Sequence, residues 1–272
     1  MTAAMPDTTS PSTPTEAPPA EDGWRPDLGA LRARLDQLDD NIHDLLMDRA
    51  RVVENVARSG KAAAFRPGRE ATILRRLLAR HAGKLPPQTL VRMWREMLAG
   101  TTAMQTAVTV AVFDPTRDGT LLALAREHFG VLTPAIVHPS IESALHDVRR
   151  GTASVAVLPF PTDAAAWWPA LTVVDPRLHI VVRLPFWMHR PPHVPVADAL
   201  VVAAAAPDRS GNDRSFVVTR DRALLADAGL IIHAVYGTIA EVEDMVAEDD
   251  PRLPAGTVVL GGYAVPVAGE PV

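Results

Sequence analysis

One stripe of apolar residues governs what the first hundred residues of this chain can become. It starts at Leu28 and runs through Leu31, Leu35, Leu38, Ile42 and Leu45 to Arg49, then on to Val52 and Val56. The steps alternate between three and four, which marks one long helix whose seam packs along other helices in the manner of a coiled coil. Residues 27–60 therefore read as a single helix about 50 Å long at ~1.5 Å per residue, ended by Gly60. Arg49 breaks the seam. A guanidinium placed there loses water and needs an anion. The residues one turn away on either side are Leu45, Leu46, Val52 and Val53, so no carboxylate lies at i±3 or i±4. Either another element supplies the carboxylate, or the position is made for an anionic ligand.

Two shorter helices follow. Arg66-Pro67-Gly68-Arg69-Glu70 opens the first, with Pro67 suited to a first turn, an apolar face of Ile73, Leu74, Leu77 and Leu78, and Gly83 as its stop. Pro86-Pro87 opens the second, with a face of Leu90, Trp94, Met97 and Leu98 that continues into Thr101 and Gln105, four apart and on one side. One long and two short helices leave much of the long seam uncovered, and pairing two copies covers it. The expectation is an intertwined homodimer.

From Val108 the texture changes to short β-branched runs alternating with amphipathic helices. VTVAVFDP, TLLALAREHFG, IVHPS, SIESALHDVRRG and ASVAVLPFP give strand, helix, strand, helix, strand, the order of an open, mostly parallel α/β sheet. LHIVVRLPF, ALVVAAAA, RSFVVTR, LIIHAVYG and TVVLGGYAV read as further strands, with helices at Asp221–Ala228 and near Ile239–Ala247. The fold class is thus multi-domain: residues 1–26 a Pro/Thr/Ala-rich disordered tail, 27–107 an all-α three-helix domain, and 108–272 an α/β domain.

Charge sharpens the division. Residues 27–107 carry 14 Arg and Lys against 9 Asp and Glu, a net of +5, which leaves −10 on the rest of a chain whose total is −5. The basic segment suits an anionic small molecule. Its arginines are spread through amphipathic helices rather than gathered in a stripe with aromatics, which argues against nucleic acid as a partner. With no cysteine, disulfide and thiolate chemistry are excluded. No apolar run reaches the roughly 18 residues of a membrane span and the first residues lack a signal peptide's apolar core, so a soluble, cytoplasmic protein with no membrane partner is expected.

The helical segment offers Arg32, Arg49, Lys61, Arg69, Glu70, Thr101 and Gln105 as site residues, and Lys61 is one of only two lysines in the chain. Arg32 and Arg49 lie 17 residues apart, about 260° around the helix and ~25 Å along it. They do not serve one small ligand from the same helix; in an antiparallel dimer Arg32 of one copy meets Arg49 of the other. Two arginines hold two carboxylates bidentately, while an ammonium, an amide and a carboxyl or hydroxyl group remain for neutral polar atoms. No nucleophile, histidine base or metal set accompanies them. Such a pocket suits a reaction that needs the substrate folded and its developing charge stabilised, a dicarboxylate rearrangement for instance, without cofactor or metal.

LRARLDQLDDNIHDLLMDRARVVENVARSGK, FRPGREATILRRLLARHAG and LPPQTLVRMWREMLAGTTAMQ together resemble the all-helical chorismate mutases, closest to the amino-terminal mutase domain of bifunctional P-proteins. The resemblance implies the Claisen rearrangement of chorismate to prephenate, in phenylalanine and tyrosine biosynthesis. By it, Arg49 and the partner copy's Arg32 hold the substrate carboxylates, the family lysine and Gln105 bond the ether oxygen as its C–O bond breaks, Glu70 contacts the ring hydroxyl, and Arg69 and Thr101 line the site. The family places its lysine 11 residues after Arg49; here that slot is Gly60, and Lys61 stands one step on, about 100° around the helix. Lys61 is expected to swing inward where the helix frays.

VAVFDPTRDGTLLALAREHFG and SIESALHDVRRGTASVAVLPFP resemble the start of a prephenate dehydratase domain, and VAEDDPRL and VVLGGYAVP the end of a regulatory ACT domain. The dehydratase signatures are altered: Pro159-Phe160-Pro161-Thr162-Asp163 stands where that family has Pro-x-Glu-Asn-Ser, and Asn212-Asp213-Arg214-Ser215-Phe216 lacks the threonine of its Thr-Arg-Phe. A degenerate relative, not an active dehydratase, is expected. Three alternatives stay open: a non-catalytic small-molecule sensor, a bifunctional mutase/dehydratase, and an isochorismate-pyruvate lyase on the same helical fold. Elsewhere the residues read plainly. His43 and His81 sit on helix surfaces, His189 and His193 in HRPPH lie in a proline loop rather than a metal site, Trp167-Trp168 are core or a domain contact, and Gly261-Gly262 make a turn rather than a phosphate loop.

Overall fold

The computed structural model describes residues 27–60, 65–162, 166–172, 175–192, 194 and 197–269. The tail 1–26, Lys61 and His193 lie outside them. The chain divides into two units, 1–49 and 50–272, and the division falls within the first helix. That helix, α1, spans Leu28–Arg58 and stops at Gly60, whose φ of +65° is the left-handed conformation that ends helices. None of its residues is fully buried, and the seam stands open to solvent at Leu28, Leu35 and Leu45.

The second unit contains α2 (Pro67–Arg80) and α3 (Pro87–Ala103), each opened by a proline as expected. α2 ends at Arg80, three residues before Gly83, because His81 turns extended. The buried side of α3 is Val91, Arg95 and Leu98, not the Leu90, Trp94 and Met97 face; those three are half-buried. Both helices rest on the α/β elements. Ala71, Leu74 and Val91 share one apolar cluster with Phe186 and Trp187. Arg75 of α2 donates to the Asn212 and Val265 carbonyls at 2.9 and 2.6 Å. The start of α2 sits so close to the loop before residue 210 that a Cβ on Gly68 would run into the Asp208 carbonyl.

β1 (Val110–Phe113), α4 (Thr120–Phe129), β2 (Ala135–His138), α5 (Ile141–Arg150) and β3 (Val155–Pro159) form the expected β-α-β-α-β unit, with parallel strands in the order β2-β1-β3. β1 and β3 are apolar throughout because helices cover both faces. α5 presses Ala144, Leu145 and Val148 onto Ala111, Ala156 and Leu158; α4 presses Leu124, Ala125 and Phe129 onto Val110, Val112 and Val157. β4 (His179–Leu184) and β5 (Ala199–Ala203) continue the sheet, β5 lying antiparallel between β3 and β4. The paired tryptophans Trp167 and Trp168 are buried, as expected.

The last strands are β6 (Asp213–Val218), β7 (Ile232–Tyr236), β8 (Ile239–Glu243) and β9 (Val258–Ala264), with the short α6 (Arg222–Asp227) after β6. Their order β9-β6-β8-β7 is antiparallel at every pair. The expected helix near Ile239–Ala247 is instead β8. Gly237, at φ +60°, opens a two-residue turn with Thr238 that folds β8 back on β7. The expected turn at Gly261-Gly262 is mid-strand: Gly261, at φ +125°, brings β9 against β4, where it pairs with Ile180 and a Cβ would stand 2.6 Å from the Ile180 nitrogen. That close approach joins the two halves into one mixed nine-stranded sheet, parallel at β2-β1-β3 and β4-β9.

Candidate functional site

α1 carries Arg32 and Arg49. Arg32 is exposed; Arg49 is half-buried, and that partial loss of water lowers its guanidinium pKa from the ordinary value. The turn of 17 residues between them sends the two side chains to different sides of the helix, as expected from the sequence.

Within the second unit, α2 delivers Arg69 and Glu70. The first turn of α2 has no cap from its own flank. Asp208 serves instead, accepting the Gly68 N–H at 2.7 Å and the Arg69 N–H at 3.2 Å, with the Arg66 Nε 3.4 Å away. The Arg69 residue is exposed. Glu70 faces inward, and its Oε2 accepts from Arg95 Nη1 of α3 at 2.8 Å. Arg95 is only 4% exposed. Its guanidinium lies over the Phe186 ring, 4.7 Å from the centroid, and the same Nη1 is 3.5 Å from His128 Nε2 on α4.

Burial sets the electrostatics of this trio. It raises the Glu70 carboxyl, against the pull of Arg95, and lowers Arg95, against the pull of Glu70 and Glu127. His128 is pushed well below 6.5, first by burial and then by the Arg95 charge, so it stands neutral. Its Nδ1 is buried with no hydrogen-bond partner among the described residues. Glu70 and His128 also line a small cavity with Phe65, Thr102, Phe129 and Thr133.

Thr101 stands in the last turn of α3 and Gln105 in the turn that follows the helix. The Thr101 Oγ1 donates to the Met97 carbonyl at 3.0 Å, and the Gln105 Nε2 to the Thr101 carbonyl at 3.2 Å. Arg95 and Thr102 share a side of α3; Thr101 is turned about 120° from Arg95. The fold thus brings Glu70 to the Arg95 side of α3, while Thr101 occupies the neighbouring side and Gln105 folds back onto its carbonyl. Lys61 lies outside the described residues.

Arg95 and His128 were not among the expected site residues. The signal for Arg95 was there: it falls four after Val91 and three before Leu98, a charge in an apolar stripe like Arg49. His128 carried none, since its partner is on another element. Within the second unit these groups offer a carboxylate acceptor fixed by a buried cation; α1, by itself, carries the guanidiniums of Arg32 and Arg49. This is equipment for binding and for stabilising charge rather than for nucleophilic attack. Among the described residues no group of three or more His, Cys, Asp or Glu is arranged to hold a metal ion.

The altered dehydratase-like motifs land in structural roles. Asp213 accepts the Ser210 and Gly211 N–H groups, Arg214 donates to Glu241 at 3.0 Å, and Ser215 ties β6 to Asp244 and Val246. Phe160 lies beneath Arg183, 4.9 Å from its ring centroid. Asp163 is outside the described residues.

Residues 31–106 match the family model of chorismate mutase type II, and over that segment the chain carries the family's pattern. The chain is 32% identical over 141 residues to the bifunctional chorismate mutase/prephenate dehydratase of Stutzerimonas stutzeri, and equally so to that of Pseudomonas aeruginosa. Each match takes in 48% of this chain but 38% of the relative, so the chain spans well under half the length of the curated relatives it matches. Among solved structures, the prephenate dehydratase of Arthrobacter aurescens in complex with L-Phe aligns at a TM-score of 0.42 and 14% identity, over 60% of this chain and 93% of that one. No described helix is long and apolar enough to cross a membrane.

Proposed function

We propose that this chain is a chorismate mutase, catalysing the Claisen rearrangement of chorismate to prephenate. The observation that carries the reading is the span of the family match: residues 31–106 take in all seven candidate residues, from Arg32 to Gln105. The reaction is intramolecular. The ether C–O bond of the enolpyruvyl group breaks as its terminal carbon bonds to the ring, and no proton or atom is lost. It therefore asks for folding of the substrate and stabilisation of charge at the ether oxygen. Arg49 and the partner copy's Arg32 hold the two carboxylates. Lys61 and Gln105 donate to the ether oxygen, Glu70 accepts from the ring hydroxyl, and Arg69 and Thr101 complete the wall.

Residues 27–107 form the mutase domain and 108–272 an α/β domain that has lost dehydratase chemistry. Two copies pair through α1, whose open leucine seam supports a homodimer, and the protein works in the cytoplasm. The test is the loss of chorismate absorbance with purified full-length protein, with product identification. Prephenate is expected. Release of pyruvate identifies a lyase instead; binding without turnover identifies a sensor. Conversion of added prephenate to phenylpyruvate contradicts the loss of dehydratase chemistry, and light scattering at monomer mass contradicts the shared site.

A further inference from the structure

We propose that Arg95 and His128 are positioning residues for Glu70, so that α4 of the α/β domain fixes the carboxylate of the mutase site. The proposal rests on the mutase reading, since it concerns how that site is held. Arg95 engages only one carboxylate oxygen, Oε2; Oε1 makes no hydrogen bond among the described residues and is left for a hydroxyl donor. A lone buried ion pair has freedom to rotate, but this one is held from two further sides. Phe186 covers the guanidinium face, and His128 Nε2 stands beside the very nitrogen that bonds Glu70.

A neutral imidazole suits that position, because its Nε2 lone pair faces a cation and its proton then resides on Nδ1. A protonated His128 would set two cations 3.5 Å apart in a buried site. Around the trio, Glu127, itself paired with Arg190, attracts Arg95, and Asp208, itself paired with Arg66, repels Glu70. His128 itself does not move easily. Its ring meets Phe129 edge-on at 4.8 Å, and its helix is anchored by Leu124, Ala125 and Phe129 in the sheet core. The chain of constraint thus runs from sheet to α4, to Arg95, to Glu70.

The experiment compares kcat and KM for chorismate in the full chain across His128→Leu, His128→Gln and Arg95→Lys, each with and without Glu70→Gln. Misplacing a substrate-orienting group by an ångström costs up to ~10²-fold. His128→Leu is expected to lower kcat/KM by about 10-fold or more with the fold intact, and His128→Gln, which restores an acceptor near Nε2, to recover most of it. In the Glu70→Gln background the His128→Leu effect should largely vanish, since the group being positioned is already changed. An undiminished effect in that background, or His128→Leu and Arg95→Lys both matching the wild type, overturns the proposal. A wild-type chain that does not turn over chorismate overturns the mutase reading and this role with it.

Discussion

Glu70 and Arg95 form a buried ion pair at 2.8 Å that ties α2 to α3, with Arg95 4% exposed. Such a pair contributes little relative to well-packed apolar residues, but breaking it leaves a charge stranded. Arg95→Met should therefore destabilise the fold by about 3–5 kcal/mol, and the double variant Glu70→Leu/Arg95→Met should recover much of that. Urea unfolding of the wild type and the two variants measures it. Equal losses in the single and double variants would contradict the pairing.

His128 makes stability depend on pH. Its folded pKa lies well below the ordinary 6.5, so its contribution is complete above 6.5 and is lost as pH falls toward the depressed value. Glu70 acts in the opposite sense: its folded pKa is raised above 4.5, so its contribution is present at low pH and is lost as pH rises through the raised value. The His128 part is isolated by comparing the wild type with His128→Gln. Below pH 6.5 the wild type should lose up to ~1.4 kcal/mol per pH unit more than the variant. Parallel curves from pH 5 to 7.5 would show that His128 is not buried neutral.

Asp208 caps α2 from 140 residues further along the chain. Asp208→Ala removes acceptors from the Gly68 and Arg69 N–H groups and should cost about 1–2 kcal/mol in thermal or urea unfolding. Asp208→Asn, which keeps one acceptor oxygen, should cost less.

Gly261 holds the sheet together at the β4–β9 contact. A side chain there meets both the wrong backbone conformation, φ +125°, and the Ile180 backbone. Gly261→Ala should cost about 3 kcal/mol or more, whereas Gly256→Ala, also at positive φ but with open space around it, should cost about 1 kcal/mol.

What the sequence made legible follows from where the constraint was local. The α1 seam, the proline starts of α2 and α3, and the β-α-β-α-β order rest on periodicity and capping, which are properties of neighbouring residues. The misreadings at Ile239–Ala247 and at Gly261 have another cause. IAEVEDM fits a helix as well as a strand by composition, and its partners β6 and β7 decide. Gly261 is glycine because β4 passes close by, which no local pattern announces. The candidate site divides the same way. Arg49 stood out as a charge in a leucine seam, and Arg95 sat in an equivalent stripe. His128 became visible only once α4 was placed beside α3.

We propose a mutase site completed by two copies, Arg49 from one and Arg32 from the other. Arg32→Ala and Arg49→Ala should each lower chorismate turnover by about 10²–10³-fold, the scale of losing a group that stabilises charge in the transition state. Co-expressing the two variants tests the sharing directly. Random pairing makes about half the dimers mixed, each with one intact site of two, so activity should return to about a quarter of the wild type. No recovery in verified mixed dimers would contradict a site shared between subunits.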